Sequence, residues 1–251
     1  MPSLSALKGL RALALIMGWA MASPGQAAEL LVAVAANFAA PMKVLAEQFE
    51  RQTGHRLALS FGATGQFYAQ IRHGAAFAVL LAADDEVPRR LEAEGLGVAG
   101  TRQTYATGRL VLWSAQPGLV DAQGHILRSP PPGRIALANP KLSPYGRASR
   151  EVMTRLGLAA PTVEAAHIGQ AYQFVASGNA PLGFLALSQV FEDGRLREGS
   201  AWIVPQALHT PIVQQALILQ PGRTQPAAAA LMEHLRSAQS RALIARYGYQ
   251  P

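Results

Sequence analysis

The stretch Glu29-Leu30-Leu31-Val32-Ala33-Val34-Ala35-Ala36-Asn37-Phe38 is an apolar run that closes on an amide side chain. Such a run, rich in Val and Leu and without polar alternation, predicts a strand buried on both faces of a parallel sheet. From about Phe38 the period changes: Met42, Leu45 and Phe49 share one helical face as far as Gln52, and Gly54 supplies the stop. The same order then repeats. Arg56 to Phe61 reads as a second strand, Gln66 to His73 as a helix, Ala78 to Ala83 as a third strand, and Glu86 to Glu94 as a helix ending at Gly95. A βαβαβα order predicts a doubly wound α/β unit whose ligands sit beyond the carboxyl ends of the strands. Asn37 and Thr64 both fall there.

A second unit begins at Gly108. Arg109 to Ser114 predicts a strand, and Gln116 to Pro132, rich in Gly and Pro, a surface loop. Arg134 to Ala138 is the next strand, followed by a turn at Asn139-Pro140 and a helix from about Gly146 to Leu156. Ile168 to Ser177 reads as a short helix and Leu182 to Leu187 as a strand. Ile212 to Leu219 looks like a strand that resumes the first unit, and Gln225 to Tyr247 supplies one or two closing helices. The expected organisation is therefore a leader over 1–28, a first lobe over 29–107, a second over 108–210, and a return to the first over 211–251. Two crossings, near Thr107 and Thr210, would form a hinge that lets the lobes close.

The leader reading rests on Lys8 and Arg11 without an acid, an apolar Leu13 to Ala22, and Gly25-Gln26-Ala27 as a small-x-small cleavage site before Ala28. Its apolar core is too short for a transmembrane anchor. An exported, periplasmic chain is the expectation. Losing Lys8 and Arg11 takes the net charge from +7 to +5, so the mature chain stays basic. Its basic residues are scattered, with no run interleaved with aromatics, which argues against nucleic acid. With no cysteine, roughly 220 residues must be held by their apolar core alone, and thiol chemistry is excluded. The six histidines show no paired spacing, so no cation site is expected.

Three motifs compete for chemistry. Gly95-x-Gly97-x-x-Gly100 matches the dinucleotide pattern in letters, but it follows a helix and leads towards a strand, the reverse of the required context. Asp84-Asp85-Glu86 could be an acid/base or metal cluster, yet an acidic start to the helix through Arg90 explains it. No nucleophile is nominated with its base. Asn37 and Thr64 stand at two helix mouths, where free N–H groups and the helix dipole can hold an anion without a formal charge. Ordinary helix capping is the competing account of both residues.

The surrounding segments decide between these accounts. They are Val34-Ala35-Ala36-Asn37-Phe38, Ser60-Phe61-Gly62-Ala63-Thr64-Gly65 with Tyr68-Ala69-Gln70-Ile71, Leu80-Leu81-Ala82-Ala83-Asp84 and Gly108-Arg109-Leu110-Val111-Leu112-Trp113-Ser114. Ala138-Asn139-Pro140-Lys141, Pro144-Tyr145-Gly146, Leu182-Gly183-Phe184 and Pro211-Ile212-Val213-Gln214-Gln215-Ala216 follow. As an ordered set covering essentially the whole mature length, they resemble the periplasmic molybdate-binding proteins of ABC transporters, which belong to the type II periplasmic solute-binding proteins.

The resemblance implies two α/β lobes, each a mostly parallel sheet flanked by helices, closing over one tetrahedral oxyanion. It implies a monomer without enzymatic activity or cofactor that delivers molybdate or tungstate to an inner-membrane ABC permease. Carried over by position, Asn37 and Thr64 stand at the first and second helix mouths, and Tyr145 at a second-lobe position that is Tyr in one branch of the family. Ile168 stands where a main-chain N–H at a helix start reaches the anion, with Ala36 and Gly169 beside these contacts. Two departures stand out: Thr64 replaces the usual Ser, and Ala186 replaces a Tyr that meets the anion in the other branch. The implied lining offers protons without formal charge. Sulfate or another tetrahedral oxyanion is the alternative cargo, and a periplasmic hydrolase the alternative class.

Overall fold

The computed structural model describes residues 29–250; the expected leader over 1–28 lies outside them. In chain order the first part contains β1 (Glu29–Ala35), a 3₁₀ turn (Ala36–Phe38), α1 (Ala39–Thr53), β2 (Arg56–Gly62), α2 (Thr64–Arg72), β3 (Val79–Leu81), α3 (Glu86–Ala93) and β4 (Gln103–Gly108). The middle contains β5 (Leu110–Ser114), β6 (Ile135–Ala138), α4 (Pro144–Arg155), β7 (Thr162–Ala165), α5 (Ile168–Ala176), β8 (Leu182–Ala186), a 3₁₀ turn (Leu187–Gln189), β9 (Phe191–Glu192), β10 (Arg195–Leu196) and β11 (Ser200–Ile203). The chain closes with β12 (Ile212–Ile218), α6 (Pro226–Arg236) and α7 (Ala238–Arg246).

Two five-stranded sheets result, ordered β2-β1-β3-β12-β4 and β11-β5-β8-β6-β7. Each contains one reversed strand. β1 runs parallel to β2 and β3, whereas β12 is antiparallel to both β3 and β4. In the second sheet β6, β7 and β8 are parallel, and β5 is antiparallel to β8 and β11. The chain leaves the first sheet at Gly108 and re-enters it at Ile212. The two-lobed α/β architecture expected from the sequence is therefore present.

Alternation along β1 explains the packing of the first sheet. Leu30, Val32 and Val34 face α1, α6 and α7 through Met42, Leu45, Leu231 and Leu243, while Ala33 faces Phe67, Ile71 and Leu91 of α2 and α3. The second lobe has its own core, in which Leu112, Leu137, Phe184 and Val152 are fully buried. At roughly 1.5–3 kcal/mol for each fully buried large apolar side chain, these cores can hold a chain that has no disulfide.

The sequence reading did not anticipate β4, β7 or the short strands β9 to β11. β4 pairs with β12 and, through Thr107, with Gln250, both more than a hundred residues later, so no local pattern marks it. Gly95, Gly97 and Gly100 occupy the turns between α3 and β4, and Gly97 bridges to Leu219, so the glycine triplet is a connector. Among the described residues, no helix is long and apolar enough to cross a membrane, and no cluster of His, Asp and Glu suits a metal ion.

Candidate functional site

The parallel register aligns Ala35 with Gly62 and Val34 with Leu81, so the segments following β1, β2 and β3 emerge along one sheet edge. Asn37 follows the first strand, Thr64 the second, and Ala83 the third. Thr64, 1% exposed, opens α2, and its Oγ1 accepts the N–H of Ala83 at 3.0 Å. Asn37 is equally buried. Its Nδ2 donates to Gln214 Oε1 at 2.8 Å and to Tyr249 Oη at 2.9 Å. Neither side chain caps its helix, so the capping account of both residues fails on geometry.

The second lobe meets this edge with two helix starts. Ser143 caps α4, with Pro144 in its first turn, and Tyr145 follows, 1% exposed. The Tyr145 hydroxyl accepts from Gln214 Nε2 at 3.2 Å, which leaves its own proton free to donate. His167 caps α5 by accepting the Gln170 N–H on Nδ1 at 3.2 Å. Burial lowers the pKa of this imidazole, favouring the neutral form that the cap requires. Ile168 and Gly169 come next, and a Cβ placed on Gly169 would lie 3.5 Å from the Cβ of Ala36. The helix mouths of the two lobes thus face each other.

Main-chain donors are available at these mouths. First-turn N–H groups have no intrahelical acceptor. Among the described residues, those of Thr64, Ile168 and Gly169 enter no cap, turn or loop hydrogen bond. The Gly65 N–H is different: it donates to Leu142 O at 2.9 Å and ties α2 to the second lobe. The structure therefore brings Ala36, Asn37, Tyr145, Ile168 and Gly169 to one inter-lobe seam, with Thr64 beside Ala83 on the same sheet edge.

Sequence reasoning missed the network beneath them. Gln214, fully buried on β12, accepts from Tyr105 Oη at 2.9 Å as well as from Asn37. Tyr249 Oη donates to Asn37 O, and Ser188 Oγ donates to that same carbonyl at 2.8 Å. Burial raises the pKa of Tyr105, Tyr145 and Tyr249, so all three remain protonated donors. One signal was available in the sequence: Gln214 takes an inward turn in the strand alternation, between buried Ile212 and Ala216.

The seam is not free of charge, contrary to the expectation of a wholly neutral lining. Arg147 on α4 reaches across to Asp84 Oδ2 at 3.1 Å and lies 3.9 Å from Glu86. Asp84 Oδ1 accepts the Val87 N–H at 3.0 Å, so it satisfies a first-turn donor of α3 from one residue before the N-cap, Asp85, whose own side chain makes no cap bond. Burial raises the Asp84 pKa, opposed by the Val87 N–H and by Arg147. A cavity of about 260 Å3 opens beside the pair, bordered by Glu86, Arg147, Glu151 and Thr210. Arg147 is neutralised by its acidic partners at the rim.

The sequence profile of the bacterial extracellular solute-binding proteins matches residues 30–250. The chain belongs to this family. A molybdate-binding protein ModA from Azotobacter vinelandii is 54% identical over 233 residues, covering 91% of this chain and 92% of that one. Another, from Rhodobacter capsulatus, is 45% identical over 246 residues, covering 96% and 95%. The solved structure of the Azotobacter vinelandii periplasmic molybdate-binding protein superposes with a TM-score of 0.85 at 41% identity, covering 88% of this chain and 99% of that one. As a member of the bacterial extracellular solute-binding proteins, the chain is a binding protein rather than an enzyme, and the hydrolase alternative is set aside.

Proposed function

We propose that this chain captures molybdate, and tungstate with it, in the periplasm and delivers it as cargo to an inner-membrane ABC permease. The two lobes, 29–107 with 211–251 and 108–210, act as a monomeric clamp. Asn37, Thr64, Tyr145 and Ile168, with Ala36 and Gly169 beside them, surround the oxyanion. The observation that carries the reading is the facing pair of helix mouths, whose unengaged N–H groups and Tyr145 hydroxyl proton converge on one seam. The names of the Azotobacter and Rhodobacter relatives support the same cargo.

Specificity follows from the chemistry of the donors. Each charge-assisted hydrogen bond to a desolvated dianion is worth roughly 1.5–3 kcal/mol. A hydrogen phosphate would turn its own O–H towards a shell of donors and leave a proton without an acceptor. Sulfate is fully ionised but smaller, so it would lengthen several bonds at once. Closure is favoured because only the closed form presents both sets of donors.

The test is calorimetric titration of residues 29–251 with molybdate, tungstate, sulfate and phosphate. Molybdate and tungstate should bind with similar affinity, and at 100 times its Kd each should add about 2.7 kcal/mol of apparent stability. Phosphate binding as tightly as molybdate would overturn the reading.

A further inference from the structure

We infer that Gln214 is a positioning residue for the oxyanion site: from the first lobe it sets the direction of the Tyr145 hydroxyl proton in the second, so that this donor is presented only when the lobes are closed. The inference rests on the oxyanion reading above and deepens it, because it concerns how that site acquires its donor.

A primary amide has two acceptor positions on its oxygen and two protons on its nitrogen, and the two ends are not interchangeable once neighbours are fixed. Gln214 Oε1 accepts from Asn37 Nδ2 at 2.8 Å and lies 2.9 Å from Tyr105 Oη, whose single proton is shared with Ala82 O at 3.1 Å. Rotating the amide alone would set its nitrogen against the Asn37 nitrogen. Nε2 is thereby turned towards Tyr145 Oη at 3.2 Å, where it donates. A hydroxyl that accepts on this side must send its own proton elsewhere, and the unengaged direction is the seam. Without the Nε2 donor the hydroxyl could rotate inward and offer a lone pair to the anion instead.

A second observation is steric and independent of hydrogen-bond assignment. Gly108 ends β4 at the crossing between the lobes, and a Cβ there would lie 2.1 Å from Tyr145 Oη and 2.6 Å from Gln214 Nε2. The backbone leaves room for this one pair of polar atoms to meet. Gln214 sits on β12 in the first sheet and Tyr145 on α4 beside the second, so the contact spans the two lobes. The titratable groups packed around it are Tyr105 from β4, Tyr145 from α4 and Tyr249 from the C-terminal segment, with Asp84 acting on Tyr105.

The experiment is a double-mutant cycle on residues 29–251, with molybdate as the probe and calorimetric Kd as the readout. Gln214→Met and Tyr145→Phe are each expected to raise Kd by about tenfold or more, the scale of one charge-assisted hydrogen bond. In the double variant the Kd should stay within about twofold of Tyr145→Phe alone, because Gln214 acts through that hydroxyl. Additive losses would overturn the inference and assign Gln214 to packing. Should Gln214→Met fail to fold, Gln214→Glu carries the test alone. Gln214→Glu supplies a readout that packing would not move. Ionised, the carboxylate accepts a hydrogen bond from the Tyr145 hydroxyl and draws its proton away from the anion; protonated, it donates as the amide does, so its molybdate affinity should recover as pH falls from 8 to 5. A flat profile for Gln214→Glu would also overturn the inference. Wild type that fails to bind molybdate removes the oxyanion reading, whereas wild type that binds beside an additive cycle removes Gln214 alone.

Discussion

Thr64 shows what a single side chain can reveal and what it hides. Its place after a strand was legible, because an apolar run followed by a small polar residue and a helix has few other meanings. Its contact was not, since the Ala83 N–H that it accepts belongs to the next strand's exit, nineteen residues away. The same holds for Asn37, whose amide was expected at a helix mouth and instead bonds to Gln214 and Tyr249, partners at the far end of the sequence. Thr64→Val keeps the shape and loses the acceptor, leaving a buried N–H unpaired. Chemical denaturation should show a loss of about 1–3 kcal/mol, and molybdate affinity should fall as well. Thr64→Ser should recover most of both, because the hydroxyl returns without the methyl group.

At the scale of elements, helices were read well wherever a stripe and a stop coincided. α1 ends at Gly54 and α3 just before Gly95, as Met42, Leu45 and Phe49 in one case and the glycine in the other required. The unbroken apolar run of β1 was equally legible, and β12 was read as a strand despite Gln214 and Gln215 in its middle. β4 was missed because its residues, Gln103 to Gly108, mix polar and small side chains and take their meaning from β12 and Gln250, both distant in sequence. The mouth of α2 offers a test of how closely elements must approach. A Cβ on Gly65 would lie 3.0 Å from Leu142 Cα, against backbone that cannot rotate aside. Gly65→Ala should leave the melting temperature of the unliganded protein unchanged or slightly raised, since Ala favours helix by about 1 kcal/mol. It should weaken molybdate binding by about tenfold by holding the lobes apart. Equal binding in titration would show that α2 need not touch the second lobe.

On the scale of the whole molecule, stability and binding respond to pH through different groups. His234 lies edge-on to Phe49 in the first lobe, its Nε2 has no partner among the described residues, and burial lowers its pKa, opposed by a hydrogen bond to the Leu45 main chain. An imidazole depressed by folding contributes stability that is complete above its ordinary value of about 6.5 and is lost as pH falls towards the folded value. His234→Leu should therefore melt at a temperature that falls less than that of wild type between pH 7.5 and 5. Parallel melting curves across that range would remove His234 as a source of acid sensitivity. The reversed strand β12 has a further consequence. The first sheet is severed between β3 and β4 until residues 212–218 arrive, whereas the second sheet is complete by Ile203. A chain emerging from its amino end can thus assemble its middle third first, and holds its opening third with two unsatisfied sheet borders until nearly the last residues are released. Synthesis order and assembly order are inverted, and chaperone demand should peak on the part that was made earliest.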